Sequence, residues 1–176
     1  MDEKTRQFYE LFEKRRSVRE FQDAPVPADV LSRLLTTLNR AQSAANRQPW
    51  HFIVAEKKDR AALNGVFTRD GFKNAPLAIV ACADRGEAWV RKSDGVNYAW
   101  VDVAIAVTGM ISAATAEGLG TCWVASIEAE RVKAILGIPA HIDVVAVIAV
   151  GYPVAELKRE DKPRKSLEEI MHYGRW

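Results

Sequence analysis

The run Val144-Val145-Ala146-Val147-Ile148-Ala149-Val150 is apolar without interruption, five of its seven residues are β-branched, and Gly151-Tyr152-Pro153 closes it. Branching at Cβ suits the pleated surface of a strand, and glycine and proline end one. Three more segments read as strands: 51–55, the apolar stretch 76–83 bounded by charge, and 121–125. A sheet of this kind needs helices to cover it, and the intervening segments supply them.

Phe8, Leu11 and Phe12 recur at helical spacing, and Pro27 opens a second helix carrying Val30, Leu31, Leu34, Leu35 and Leu38. Both stripes are expected to face the core. Residues 57–67 and 128–136 read as further helices, and a long helix over 97–117 ends at Gly118-Leu119-Gly120, where glycine can take the left-handed conformation that terminates helices. The order is helix, helix, strand, helix, strand, helix, strand, helix, strand, then a tail. The expected fold class is therefore α+β, a mixed central β-sheet flanked by helices, with a strictly doubly wound α/β arrangement as the alternative. At 176 residues, 48% apolar and 27% charged, the chain suffices for a single domain over 1–176 with its own core.

Composition narrows the function classes. A net charge of +2 with acids and bases interspersed argues against nucleic acid as the main partner. The most apolar stretch, 103–116, is shorter than a bilayer span and contains Thr108, Gly109, Ser112 and Thr115. It reads as a buried helix whose small residues allow close packing against a partner, not as a membrane helix. The polar start Met1-Asp2-Glu3-Lys4 leads into no apolar signal region, so secretion is not expected. Cys82 and Cys122 lie in apolar stretches without metal-site spacing and read as reduced thiols of a cytoplasmic protein, with a disulfide formally open. His51, His141 and His172 are dispersed, so no metal is assigned. Gly118-Leu119-Gly120 follows a helix and lacks the third glycine of a dinucleotide fingerprint.

Three clusters carry the chemistry. Arg15-Arg16-Ser17-Val18-Arg19 gathers three guanidinium groups and a hydroxyl, forked donors that match phosphate oxygens, although a solvated basic surface has the same composition. Ser43-Ala44-Ala45-Asn46-Arg47-Gln48-Pro49-Trp50 joins a helix to a strand. In it Asn46 and Gln48 can each donate and accept, as the edge of a pyrimidine-like ring requires, and Trp50 can anchor the loop. The same residues also make ordinary hydrogen-bonded turns. Lys162-Pro163-Arg164-Lys165 adds cations that can join the first cluster around one phosphate or stand in solvent. Before them, residues 154–165 are strongly charged, and after them come Leu167, Ile170, Met171, Tyr173 and Trp176. A charged connector before apolar anchors suggests a tail reaching across a second copy of the chain, with docking on its own domain as the other reading.

Arg15-Arg16-Ser17-Val18-Arg19-Glu20-Phe21, Asn46-Arg47-Gln48-Pro49-Trp50 and Lys162-Pro163-Arg164, taken with Gly118-Leu119-Gly120-Thr121-Cys122-Trp123 and Gly151-Tyr152-Pro153, resemble the FMN-dependent nitroreductase family over nearly the whole chain. The resemblance implies a homodimer with two equivalent FMN sites at the subunit interface, each built from both chains. Arg15, Ser17, Lys162 and Arg164 would hold the FMN phosphate, and Arg16 would lie beside the ribityl chain. Arg19 would sit near the pyrimidine edge, where a fixed cation offsets the negative charge that two-electron reduction builds at N1 and O2. Ser43, Asn46 and Gln48 would approach from the opposite subunit or loop face, while Ala125 and Ser126 would lie by the isoalloxazine ring and offer backbone N–H groups. Ala44 and Ala45 stand where family members often carry small hydroxyl residues, which weakens that loop as a donor set.

The implied activity is hydride transfer from NADH or NADPH to FMN, followed by electron delivery to a small acceptor such as a nitroaromatic or quinone, in a ping-pong cycle. Both substrates would stack in turn over one flavin face. Flavin N5 is the reactive atom, and no catalytic side chain is assigned. Trp89, Trp100, Phe67 and Phe72 are candidates to line the pocket or to pack the core. A non-catalytic flavin-binding or carrier module is the alternative function, and a helical interaction protein without cofactor is a third.

Overall fold

The computed structural model describes residues 1–67, 72–154 and 162–176. Among these, β1 (Trp50–Glu56), β2 (Leu77–Asp84), β3 (Gly120–Val124) and β4 (Ile142–Gly151) form one sheet in the order β1-β2-β4-β3. Every neighbouring pair is antiparallel. A parallel component enters at the β3 edge, where Ser17 bridges Thr121. The α+β class is as expected, and the doubly wound alternative, which requires parallel strands, is excluded.

Around the sheet lie α1 (Glu3–Lys14), α2 (Ala28–Asn39), α3 (Lys57–Leu63), α4 (Ala99–Ala116), α5 (Ala129–Leu136) and the short α6 (Leu167–Ile170). The sheet separates two cores. Val80, Cys82, Cys122, Val124 and Val147 pack with Leu63, Val66 and Val132 on one face. Ile79, Ala81, Ala146, Ile148 and Val150 pack with Leu34, Leu38, Val103, Val107 and Met110 on the other. From Ala146 to Val150 successive residues of β4 thus serve opposite cores, which is why its sequence is apolar without alternation. Each fully buried Val or Ile contributes about 1.5–3 kcal/mol by leaving water.

α4 ends as its glycines predict. Gly118 takes φ of 75°, its N–H donates to Thr115 O at 3.1 Å, and Leu119 N–H donates to Ala114 O at 2.8 Å. Gly120 follows because a Cβ there would stand 2.6 Å from Val18 Cγ2. By length and hydropathy α4 could cross a membrane, yet Val103, Ala106, Val107, Met110 and Ala114 are buried inside the fold. On its flanks the hydroxyls of Thr108, Ser112 and Thr115 donate to helix carbonyls four residues back, so their methyl and methylene groups are what remains to pack.

One expectation needs correction, and one alternative falls. The stripe of α1 is not part of this chain's core: α1 has no buried residue, and Phe8 and Phe12 are each 56% exposed. The periodicity was a sign of a face needing cover, and one copy of the chain does not supply it. The tail does not dock on its own domain either. Leu167, Ile170 and Met171 are exposed, and Trp176 is 99% exposed. Of the charged connector, residues 155–161 lie outside the described residues.

Candidate functional site

The first cluster leaves α1 and runs along the junction of β3 and β4. Arg15 caps α1 through its N–H to Leu11 O (2.9 Å) and turns the chain extended. Val18 N–H then donates to Thr121 O and Gln22 N–H to Tyr152 O, both at 2.8 Å, while Phe21 bridges Pro153. Pinned in this way, Arg15, Arg16 and Ser17 are half-buried and Arg19 is exposed, with its Nη1 donating to Ser17 O at 3.4 Å.

Cys122 of β3 shows what converges here. Burial pushes its thiol up, while the Arg19 charge, a Ser17 hydrogen bond and the Lys162 charge act to lower it. Lys162 of the third cluster therefore shares a corner with Ser17 and Arg19 of the first, although most of the chain separates them in sequence. Arg164 is exposed close behind Lys162 in the chain. Burial also pushes the Cys82 thiol up to about 11, so a reactive thiolate is not available near neutral pH. Both cysteines are free, which closes the disulfide alternative.

The second cluster forms a strained loop between α2 and β1. Ala45, Asn46 and Gln48 take φ of 50°, 52° and 52°. A left-handed conformation costs a residue bearing a Cβ roughly 1–2 kcal/mol, so three within four positions must be held in place. Gln48 N–H donates to Ser43 Oγ at 2.9 Å, and Gln48 Nε2 donates to Asn46 O at 3.2 Å. From outside, Asp102 Oδ1 accepts the Ala44 N–H at 2.9 Å, and Pro49 O accepts the Asp84 N–H at 2.8 Å. Sequence reasoning passed over Asp102. Its signal was present, since it is the one charged residue in the eighteen of α4.

The sheet register places the two clusters far apart within one chain. Thr121, beside Ser17, stands in the row Thr121–Val150–Leu77–Glu56, whereas the loop enters β1 at Trp50, the opposite end of that strand. Three strand spacings give about 14 Å across the sheet and six residues give about 20 Å along it. Ser43, Asn46 and Gln48 thus lie diagonally across the molecule from Ser17. Ala125 and Ser126 are different: they are exposed just after β3, where Ile127 N–H closes a turn on Ala125 O at 3.0 Å. They share the β3 edge with Ser17, about 13 Å along the strand from Thr121.

The candidate aromatics divide. Phe67 and Phe72 are core residues whose ring centroids lie 5.8 Å apart. Trp89 meets Tyr98 edge to face at 5.0 Å, and exposed Trp100 donates from Nε1 to Asp143 Oδ2 at 2.6 Å. Two of the three dispersed histidines also meet at one place: His51 Nε2 lies 3.9 Å from Glu87 Oε2, and His141 Nε2 lies 3.8 Å from Asp84 Oδ2. His172 remains apart, stacked on Trp176 at 4.4 Å.

A model of the nitroreductase family matches residues 12–69 and 64–152, most of the chain. This chain belongs to the nitroreductase family. It is 33% identical over 171 residues to an Archaeoglobus fulgidus protein with the provisional name NADH dehydrogenase/NAD(P)H nitroreductase, a match covering 92% of this chain and 94% of that one. A solved nitroreductase family protein of Clostridium difficile 630 superposes with a TM-score of 0.88 at 29% identity, covering 95% of this chain and 98% of its own. An FMN-dependent nitroreductase of Clostridium difficile R20291 superposes at 0.78 with 28% identity, covering 94% and 98%. The chain thus has a nitroreductase fold and is an oxidoreductase enzyme.

Proposed function

We propose that this nitroreductase family chain uses FMN to take electrons from NADH or NADPH and deliver them to an electron-poor small molecule, with nitroaromatics and quinones as the acceptor classes. The observation that carries the reading is the β3 corner where Ser17 bridges Thr121 beside Cys122, whose thiol feels the charges of both Arg19 and Lys162. The donor set there fits FMN. A phosphate dianion calls for forked cationic donors and a hydroxyl, which Arg15, Ser17, Lys162 and Arg164 supply from two segments. Ala125 and Ser126, on the same edge, are spaced to meet the far end of an elongated ligand. Bound FMN supplies the atom that accepts and releases hydride. Arg16 flanks the ribityl chain, and Arg19 sets a positive charge at the pyrimidine edge, where it favours the reduced form. Backbone N–H groups at Ala125 and Ser126 polarise the ring without any titrating side chain, so no acid–base pair is assigned.

Ser43, Asn46 and Gln48 belong to the same site only if a second copy brings them, because within one chain they lie across the sheet. The working unit in this reading is a homodimer with FMN at its interface. Exposed Phe8, Tyr9 and Phe12 of α1, together with the apolar tail, offer surface that such an assembly buries. Nicotinamide and acceptor then occupy one open pocket in turn, giving ping-pong kinetics. The two buried free thiols suit a reducing cytoplasm, where the nicotinamide donors also reside.

The visible spectrum of the purified protein, before and after anaerobic NADH or NADPH, tests this. Bound FMN that bleaches with nucleotide and recovers when a quinone is added is the expected result. FMN that binds but resists both nucleotides would favour the carrier alternative, and a chain that does not bind supplied FMN would overturn the proposal.

A further inference from the structure

Beside the loop that ends at Trp50, a cleft of about 380 Å³ opens at the end of the sheet where β1 begins and β2 ends. His51, Asp84, Glu87 and His141 stand around it, against an apolar wall that includes Leu136 and Ile138. The sheet register explains the gathering. His51 faces Cys82 across the β1–β2 ladder, and Asp84 faces Ile142, the neighbour of His141, across β2–β4. A register shift at Ala81/Cys82 sets the latter pairing. Residues far apart in sequence therefore meet around the end of β2.

Their geometry is that of a loose ligand set. One ligand atom from each of His51, Asp84 and Glu87 lies within 4.8 Å of the other two. His141 Nε2 is 3.8 Å from Asp84 Oδ2, and His51 Nε2 is 3.9 Å from Glu87 Oε2. Gly86 N–H donates to Asp84 Oδ1 at 2.7 Å, which fixes that carboxylate and leaves Oδ2 toward His141. Neighbouring cations are engaged elsewhere: Arg85 Nε pairs with Asp143 at 2.6 Å, and Lys133 Nζ pairs with Glu130 at 2.9 Å and donates to Ala140 O. Asp84 and Glu87 bring two carboxylates to one place, charge that a bound cation would offset.

We propose that His51, Asp84, Glu87 and His141 bind one divalent transition-metal cation of the zinc class. Two imidazole nitrogens with two carboxylate oxygens match the ligand preference of Zn²⁺, whereas Ca²⁺ and Mg²⁺ call for oxygen-only sets. Metal–ligand bonds of about 2.0–2.2 Å put tetrahedral ligand atoms roughly 3.3 Å apart, so His51, Asp84 and Glu87, whose ligand atoms lie within 4.8 Å of one another, must close by up to about 1.5 Å, with His141 swinging in from its contact with Asp84. His51, Glu87 and His141 are exposed and can rotate by that amount, while Asp84 is the fixed point. Four protein ligands would close the coordination shell. The ion would tie β1, β2 and the approach to β4 together, and a ligand held only by the folded chain raises its stability.

Zn²⁺ titrated into the purified full-length protein by calorimetry tests the site, with flavin content matched in every sample. The expected result is one Zn²⁺ per chain, a higher melting temperature with Zn²⁺, and at least tenfold weaker binding in His51→Ala and in His141→Ala. His172→Ala, on the distant tail, should bind as wild type does. Glu87→Gln keeps the side-chain shape and should also weaken binding, which decides the matter if a histidine variant unfolds. No heat of binding, or binding unchanged in His51→Ala, His141→Ala and Glu87→Gln alike, would overturn the proposal whatever the flavin spectrum shows.

Discussion

Asp102 accepts the Ala44 N–H at 2.9 Å from a position only 1% exposed, so the lone acid of an apolar helix holds the loop that carries Ser43, Asn46 and Gln48. Its second oxygen, Oδ2, is buried with no hydrogen-bond partner. A half-satisfied buried carboxylate beside three left-handed residues is expensive, and such expense collects at functional sites. Asp102→Ala removes the acceptor and frees the loop. A hydrogen bond to a charged group is worth about 1.5–3 kcal/mol, so FMN affinity should fall at least tenfold. Asp102→Asn keeps an oxygen acceptor and discards the buried charge, and it should retain most of the affinity. Fluorescence titration with FMN checks both, and wild-type affinity in Asp102→Ala would show that the loop is held by other means.

The cationic corner makes a separate prediction. Arg15→Ala or Arg164→Ala each removes a charge-assisted phosphate contact, worth about 1.5–3 kcal/mol, and should weaken FMN retention by ten- to a hundredfold with the fold intact. Arg19→Ala should act differently. FMN still binds, but its midpoint potential becomes more negative because the charge that favours the reduced form is gone. Affinity and potential measured on the three variants separate anchoring from tuning. A potential equal to wild type in Arg19→Ala would remove that residue from the electronic role.

If the exposed face of α1 is covered by a second copy, charge placed there should split the assembly. Phe8 and Phe12 touch at 5.3 Å between ring centroids and are each 56% exposed, so Phe8→Glu with Phe12→Glu leaves this chain's core untouched. Sedimentation equilibrium should show monomers, and FMN binding should fall with dimerisation, since Ser17 and Asn46 can meet only across two copies. Monomers that hold FMN as tightly as wild type would sink the shared site. A dimer that persists would place the interface elsewhere.

What the sequence disclosed, and what it hid, follows from the range of each signal. β4 was legible because β-branching and apolar continuity are local, and α4 was legible to within a residue or two because Gly118 sets its end. The antiparallel strand order was not, because which strands pair is decided by packing over distance. Phe8 and Phe12 announced an amphipathic face, but periodicity says only that a face needs cover, not which copy of the chain covers it. Arg15, Ser17 and Lys162 were legible as a proposed phosphate site only through the resemblance to a family motif. His51 and His141 looked unrelated, and only the register of three strands brings them to Asp84. Asp102 stood out as an acid in an apolar helix, while nothing nearby in sequence names Ala44 as its partner.

Asp143 gives the fold a pH dependence of known sign. Burial acts to raise its pKa, but bonds from Arg85 and from Trp100, each 2.6 Å from Oδ2, outweigh it together with the charges of Arg85 and Lys133, and the carboxyl titrates below its usual range. The unfolded chain, with an ordinary aspartate near pKa about 3.9, takes up the proton first as pH falls. The stabilisation is therefore complete above that value and is lost as pH drops through the lower, folded pKa. Asp143→Asn keeps the shape and discards the charge, so it should be less stable than wild type at neutral pH. The difference should shrink as the pH falls through the lowered, folded pKa, where wild type loses its own charge. Urea midpoints of the two proteins at neutral and acid pH measure this directly. A gap of constant size would mean that Trp100 and Arg85 are held by the shape of the Asp143 side chain and not by its charge.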